Sequence, residues 1–177
     1  MLRPAAQIVV CGLALVALRG PFACGVESEE SPVAGSRGLR PHLAVHLADV
    51  GRLESGAAVA AGDVVQVSYV AAGNRYGVVV SIDGRGVVTL HHPPRVADVP
   101  RLRARGEVPL PYAFELDDAP AFERFFFVTA AADPPETRVI LEAARKLASA
   151  GLVAARTLPL PLPEELDQSS FLLRKAP

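Results

Sequence analysis

The four histidines are the side chains of this sequence best suited to acid–base or metal chemistry. His42 and His46 have the four-residue spacing that metal sites use on helices. Their segment alternates as a strand does, however, so the two would lie about 13 Å apart, too far to chelate one ion unaided. His91 and His92 are adjacent, and adjacent side chains of a strand point to opposite faces. We therefore predict structural or surface histidines, no metal site and no cofactor.

Serine and aspartate positions give no catalytic pattern either. Ser68 and Ser81 lie in strand-like segments, and the sequence has no Gly-x-Ser-x-Gly nucleophile elbow. Asp117 and Asp118 are better explained as the start of a short helical turn, followed by Pro120, than as an acid–base pair. We predict no catalytic residues. The alternative is a periplasmic hydrolase in which one of the adjacent histidines meets acidic residues of the Asp117 loop.

Composition narrows the function classes. The chain has 177 residues, of which 50% are hydrophobic, so it can form a core and is not generally disordered. Its 18 basic and 19 acidic residues give a net charge of −1, which argues against a nucleic-acid-binding protein. Both cysteines, Cys11 and Cys24, precede residue 25, so the rest of the chain holds no disulfide framework or thiolate metal site.

The N-terminus is typical of an export signal. Arg3 is followed by an apolar run over residues 5–18, which is shorter than a membrane-spanning helix and suits a signal peptide. Cys24 follows Ala23, a context that permits lipoprotein cleavage and lipid attachment at Cys24. Plain cleavage near Ala23 and an uncleaved anchor are the alternatives. We predict a signal over residues 1–24, a flexible spacer over 25–40 and a single β-rich domain over 41–177, exported to the periplasmic side of the inner or outer membrane.

Short segments of period-2 alternation predict strands from residue 42 onward. Residues 63–70, 76–82 and 87–91 read as three consecutive antiparallel strands, a meander, with Asp83-Gly84 as the turn of its second hairpin. Residues 124–129 carry three adjacent phenylalanines and predict a strand covered on both faces. A proline-rich crossing at 158–163 leads to a final strand at 169–174.

One segment has helical periodicity. We predict a helix over residues 134–150, with Asp133 as N-cap, Glu136 completing the capping box and Gly151 ending it. Its buried stripe is predicted to contain Val139, Ile140, Ala143, Ala144 and Leu147. The predicted fold class is therefore α+β, mainly antiparallel β (meander- or sandwich-like), with one helix in the C-terminal half and a final strand.

The segment 93–111 is rich in proline and arginine. Proline cannot serve a central ladder, so we expect a loop with one short edge strand. Arg101, Arg103 and Arg105 could form a partner or anion surface. Because acidic residues are interspersed among them, an ordinary solvated loop is the competing interpretation.

Three stretches carry a family resemblance: residues 63–92, with Tyr76-Gly77-Val78-Val79 and Asp83-Gly84-Arg85-Gly86, residues 112–129, and residues 168–173. They resemble the extracytoplasmic module of myxobacterial ActD-like proteins. The resemblance covers most of the chain from Gly38 onward. It implies a regulatory setting in development or intercellular signalling, where similar modules often follow an anti-sigma-like segment and a membrane helix. This chain has only a signal-like segment there.

The predicted function is a non-enzymatic exported envelope protein that binds a protein or cell-wall partner or serves as an accessory module in signalling. It would be held at the membrane by its N-terminal lipid or anchor. The periplasmic hydrolase is one alternative. An extracytoplasmic regulatory partner of an anti-sigma system is the other.

Overall fold

The computed structural model describes residues 39–176. The predicted signal region with Cys24, and nearly all of the predicted spacer, lie outside the described residues. Within residues 39–176 the chain forms nine strands and two helices. In chain order these are β1 (His42–Leu47), β2 (Gly51–Arg52), β3 (Ala57–Val59), β4 (Val64–Val70), β5 (Tyr76–Asp83), β6 (Val88–His92), β7 (Glu107–Glu115), β8 (Phe122–Ala130), α1 (Thr137–Ser149), α2 (Leu152–Thr157) and β9 (Asp167–Lys175).

The strands form two sheets, which confirms the predicted α+β fold class with mainly antiparallel pairing. One sheet has the order β2-β1-β4-β7, and the other has the order β3-β9-β8-β5-β6. Every named pair is antiparallel except β3 with β9. Helix α1 and the final strand lie in the C-terminal half, as predicted. None of the helices in residues 39–176 is both long and apolar enough to cross a membrane.

Two hydrophobic clusters fill the layers around the five-stranded sheet. Phe125 and Phe127 of β8 pack with valines of β1 and β4 in the cluster between the sheets. Phe122 and Phe126 point the other way and pack with α1 residues, including Ile140. The prediction that the phenylalanine strand is covered on both faces is confirmed.

The predicted three-stranded meander is wrong in its first member. β5 and β6 form the expected hairpin, but β4 pairs with β1 and β7 in the other sheet. The burial of the strands gives the reason. All eight residues of β5 are buried, as suits a sheet covered on both faces, whereas β4 keeps partly exposed positions such as Gln66. Residues 71–75 therefore carry the chain from one sheet to the other.

The predicted helix exists but begins later. α1 starts at Thr137 after an extended N-cap at Glu136, and no side chain caps it. Pro135 explains the shift, because a residue before proline is disfavoured in the α region and Pro134 therefore cannot start the helix. Val139 is 42% exposed, so its predicted place in the buried stripe is wrong, while the other four predicted residues are buried. Gly151 ends α1 with a φ of 108°.

Two loop predictions also change. The expected helical turn after Asp117 is absent from the described chain, and the Asp117 carboxylate instead accepts a hydrogen bond from the backbone N–H of Ala119 at 3.0 Å. The edge strand expected within residues 93–111 is β7, which is longer than predicted and lies at the edge of its sheet. Its Pro109 and Pro111 are compatible with an edge position.

Candidate functional site

A cleft opens between the two sheets at the Asp83 end of β5. Its volume is about 270 Å³, and we call it the inter-sheet cleft. Ser81 and Asp83 follow Val79 on the face of β5 that looks into the space between the sheets, so this face changes from apolar to polar toward the strand end. Glu123 of β8 pairs in register with Asp83 and adds another polar group. Side chains from β6, β7 and the β7–β8 loop complete the lining.

A β-bulge places His91 in this cleft. Val79 pairs with His92 and Val80 pairs with Leu90, so His91 is an extra residue in β6. The His91 ring contacts Phe114 edge-on with 4.5 Å between ring centroids, and the His92 ring lies 6.1 Å from that of Tyr69. Both histidines therefore face the space between the sheets. The prediction that they point to opposite faces is wrong because it assumed an unbroken strand.

His91 is hydrogen-bonded to a serine at the floor of the cleft. Its Nε2 lies 2.9 Å from the Ser81 hydroxyl oxygen. Its Nδ1 is buried and has no hydrogen-bond partner among the described residues. Burial lowers the pKa of His91 to about 4, so the imidazole is neutral at pH 7.

A buried lysine links two acidic groups beside this pair. The Lys175 ammonium, whose side chain is 3% exposed, donates hydrogen bonds to the carboxylate and the carbonyl oxygen of Asp117 and lies 3.7 Å from the Glu123 carboxylate. The bond from Lys175 is the main cause that lowers the pKa of Asp117. Burial raises the pKa of Glu123, and it outweighs the Ser81 hydroxyl and Lys175, which both lower it.

The rim of the cleft is a structured turn. The Asp83 carboxylate accepts hydrogen bonds from the backbone N–H groups of Arg85 and Val87, both at 2.8 Å. The Arg85 guanidinium in turn bonds Asp118 at 2.8 Å. Four carboxylate residues line the cleft against one arginine, Arg85; they are Asp83, Glu115, Asp117 and Glu123. Because Lys175 already pairs with Asp117 and Glu123, the attraction of the cleft for positively charged groups centres on the exposed Glu115.

The other residues singled out by the sequence lie elsewhere. His46 bonds Glu107 at 2.8 Å, and the His42 ring bonds the carbonyl oxygen of Arg40 at 2.9 Å. No group of three metal-ligating side chains occurs within residues 39–176. The three arginines Arg101, Arg103 and Arg105 are exposed, outside the cleft.

No protein-family model, curated protein or solved structure matches this chain significantly. The resemblance to the ActD-like module therefore stays an interpretation of the sequence. Sequence reasoning named His91, Ser81 and Asp117 separately but missed Glu123 and Lys175 as members of one cluster. The available signal was the polar end of an otherwise apolar strand, Ser81 and Asp83 in β5.

Proposed function

We propose that this chain is a non-enzymatic binding protein of the cell envelope, exported by its N-terminal signal, and that the inter-sheet cleft is its ligand site. The observation that carries the proposal is the buried polar floor of the cleft. Ser81 and His91 are 1% and 8% exposed, in a region where packed sheets usually meet through apolar side chains. Burying polar groups costs free energy, which a binding role would account for.

The charge of the lining supports a cationic ligand. Four carboxylate residues line the cleft, and two cations lie close to them: Arg85, which pairs with Asp118, and Lys175, which pairs with Asp117 and Glu123. Glu115 is exposed at the cleft and makes no ion pair with another described residue. A primary ammonium or guanidinium group, presented by a partner protein or by a cell-wall peptide, fits this arrangement.

A titration with a lysine analogue tests the proposal. We expect Nα-acetyl-lysine methylamide to shift the backbone amide NMR signals of the cleft residues, Ser81, Asp83, His91, Glu115 and Glu123. The norleucine analogue, which keeps the four-carbon side chain but lacks the ammonium group, should have no such effect. Glu115→Gln should weaken the response, whereas Glu142→Gln on the exposed face of α1 should not. Equal shifts with both analogues would refute a site that selects cationic ligands.

Location is tested separately. Fractionation with metabolic lipid labelling should find the protein in the envelope, with the label lost in Cys24→Ala if that cysteine is acylated. Envelope protein without label would favour plain cleavage or an uncleaved anchor. An intact chain found in the cytoplasm would refute the export proposal whatever the cleft binds.

A hydrolase is the second candidate, and the 2.9 Å contact between Ser81 and His91 favours it. Three features support binding instead. A histidine with a pKa of about 4 is a weak general base at neutral pH. Its Nδ1 has no carboxylate to orient it in the described chain, and the serine is almost fully buried.

Labelling with a fluorophosphonate decides between the two candidates. A binding protein should not be labelled. Covalent labelling at Ser81 that is lost in Ser81→Ala and in His91→Gln, with both variants still folded, would promote the hydrolase.

A further inference from the structure

An arginine-rich surface lies at the end of the domain opposite the cleft. Arg75, Arg101, Arg103 and Arg105 are all exposed, and none lies within 4.0 Å of a carboxylate of the described residues. The carboxylates of the same chain segment are engaged by other side chains. Asp98 pairs with Arg95, and Glu107 pairs with Arg52 and His46. The positive charge of these four arginines is therefore free to meet an anionic partner.

Backbone hydrogen bonds hold the arginine-bearing segment against the start of β5. The N–H of Leu102 donates to the Arg75 carbonyl oxygen at 2.9 Å, and the N–H of Arg103 donates to the Tyr69 hydroxyl at 3.0 Å. The guanidinium carbons of Arg75 and Arg101 lie 5.7 and 5.8 Å from the centre of the Tyr76 ring. Two like charges are thus kept near one aromatic ring, which limits the side-chain entropy lost when an anion binds.

β1, the first strand of the described residues, begins at this same end. His42, the first residue of β1, pairs with Val70, and Val70 pairs with Glu107, which follows the arginine segment. Tyr76 at the start of β5 bridges to Arg101. The inter-sheet cleft lies at the other end of β5, whose eight residues span about 23 Å at roughly 3.3 Å per residue.

We infer that Arg75, Arg101, Arg103 and Arg105 form a surface that rests on the phosphate groups of an anionic membrane. The inference builds on the proposed envelope location, because the predicted anchor precedes the point where the chain enters this end of the domain. Guanidinium groups bind phosphate oxygens through paired N–H donors. This orientation directs the inter-sheet cleft away from the bilayer, toward a partner.

Vesicle flotation of the full chain tests this surface. The apolar N-terminal segment would contribute to binding of any bilayer, so the measured quantity is the ratio of partition into phosphatidylcholine vesicles with and without phosphatidylglycerol. Each arginine near an anionic leaflet contributes roughly fivefold to partition at moderate salt. We expect a ratio well above tenfold that collapses toward one at high salt, because screening weakens exposed charges.

A charge-matched pair of variants locates the effect. Arg101→Glu, Arg103→Glu and Arg105→Glu together should abolish the ratio. The same triple reversal at Arg145, Lys146 and Arg156, exposed on α1 and α2, should preserve it. If the first variant does not fold, the corresponding triple change to Gln should reduce the ratio by a smaller factor.

Two results would overturn the inference: equal partition of the wild type into both vesicle types, or equal loss in the two triple variants. A competition experiment gives a third such result. If inorganic phosphate and free headgroup analogues displace the protein from vesicles equally well, and the protein shows no preference for vesicles, the ligand is a soluble anion and the inference is overturned. If the vesicle experiment fails while the envelope location is confirmed, only the membrane-binding role of the arginine surface is refuted. A cytoplasmic location would refute the proposed function and, with it, this inference, whatever the vesicle result.

Discussion

The carbonyl oxygen of Pro120 occupies the space that a side chain on Gly84 would need. A Cβ atom built on Gly84 overlaps that oxygen, and the next nearest atoms also belong to the backbone around Pro120. The turn glycine with a positive φ in this hairpin is Gly86, at 80°, and Gly84 does not have a positive φ. Gly84 is required for close approach of two chain segments, the β5–β6 turn and the β7–β8 loop.

Gly84→Ala should therefore destabilise the domain more than Gly86→Ala. Overpacking typically costs about 1–3 kcal/mol, and a backbone neighbour can yield less than a side chain, so we expect the upper part of that range for Gly84→Ala. Gly86→Ala meets only an ordinary contact at 3.9 Å with Ala148 and should cost about 1 kcal/mol through its strained φ. Urea unfolding measures both. The reverse order would mean that turn strain, not close approach, dominates.

Stability should fall in mild acid because of His91. Its pKa is lowered by burial from 6.5 to about 4, so between these values the unfolded chain binds a proton that the folded chain does not. This contribution is fully present above pH 6.5 and is lost as the pH falls toward 4. The total is roughly 3 kcal/mol, from about 1.4 kcal/mol per pH unit.

The His91 contribution is isolated by comparing unfolding free energies of the wild type and His91→Gln at several pH values from 7 downward. The carboxylates Asp117 and Glu107 also titrate in acid, but they do so in both proteins. As the pH falls, the unfolding free energy of the wild type should decrease more steeply than that of His91→Gln. Parallel curves would show that His91 is protonated equally in both states.

The sequence predicts strands better than it predicts their partners. Alternation and short apolar runs identified β1, β4, β5, β6 and β8, because both patterns depend only on which faces are buried. Pairing depends on where a connection crosses, and the five residues before Tyr76 carry no signal that separates a hairpin turn from a change of sheet. A close reading of the pattern could have helped, since β4 alternates whereas residues 76–80 of β5 are apolar on both faces.

Arg124 should be intolerant of replacement by lysine. Its guanidinium donates to the carbonyl oxygens of Ala155 at 3.0 Å and Leu158 at 2.7 Å, and to the Ser170 hydroxyl at 2.9 Å. It also lies over the Phe126 ring at 4.5 Å. A lysine ammonium cannot reproduce this planar fork. We expect Arg124→Lys to cost about 2–3 kcal/mol, since hydrogen bonds to charged groups contribute about 1.5–3 kcal/mol each.

Arg138→Lys is the matched control for this loss, because Arg138 is exposed on α1. It should leave the thermal midpoint nearly unchanged. Hydrogen exchange should also show faster opening of α2 in Arg124→Lys, since this arginine holds the carbonyl groups at the end of that helix. A loss of stability without faster exchange in α2 would contradict the assigned role.

The candidate site was less predictable than the fold. A bulge adds one residue to β6, and a period-2 pattern does not reveal it, so the two histidines were placed on opposite faces. Glu123 and Lys175 are separated by 52 positions in the chain, and only the pairing of β8 with β9 brings their side chains together. A single sequence does not show which strands pair with each other.

Lys175→Met should destabilise the domain in a pH-dependent manner. The substitution removes the ammonium that lowers the pKa of both Asp117 and Glu123. We expect a loss of about 2–3 kcal/mol at neutral pH, below the 3–5 kcal/mol of a fully buried broken pair, because the Asp117 side chain is 54% exposed. Urea unfolding at pH 7 and in mild acid measures the loss.

The sign of the pH dependence distinguishes this mechanism from simple loss of packing. Burial already raises the folded-state pKa of Glu123, and without Lys175 it rises further. An acid with a raised pKa destabilises the fold as the pH rises through that value, because ionisation is easier in the unfolded chain. Lowering the pH should therefore narrow the stability difference between Lys175→Met and the wild type, and adding Glu123→Gln should recover part of the loss at neutral pH. A deficit that is constant with pH, and additive with Glu123→Gln, would mean that the lysine acts through its packed methylene groups and not through its charge.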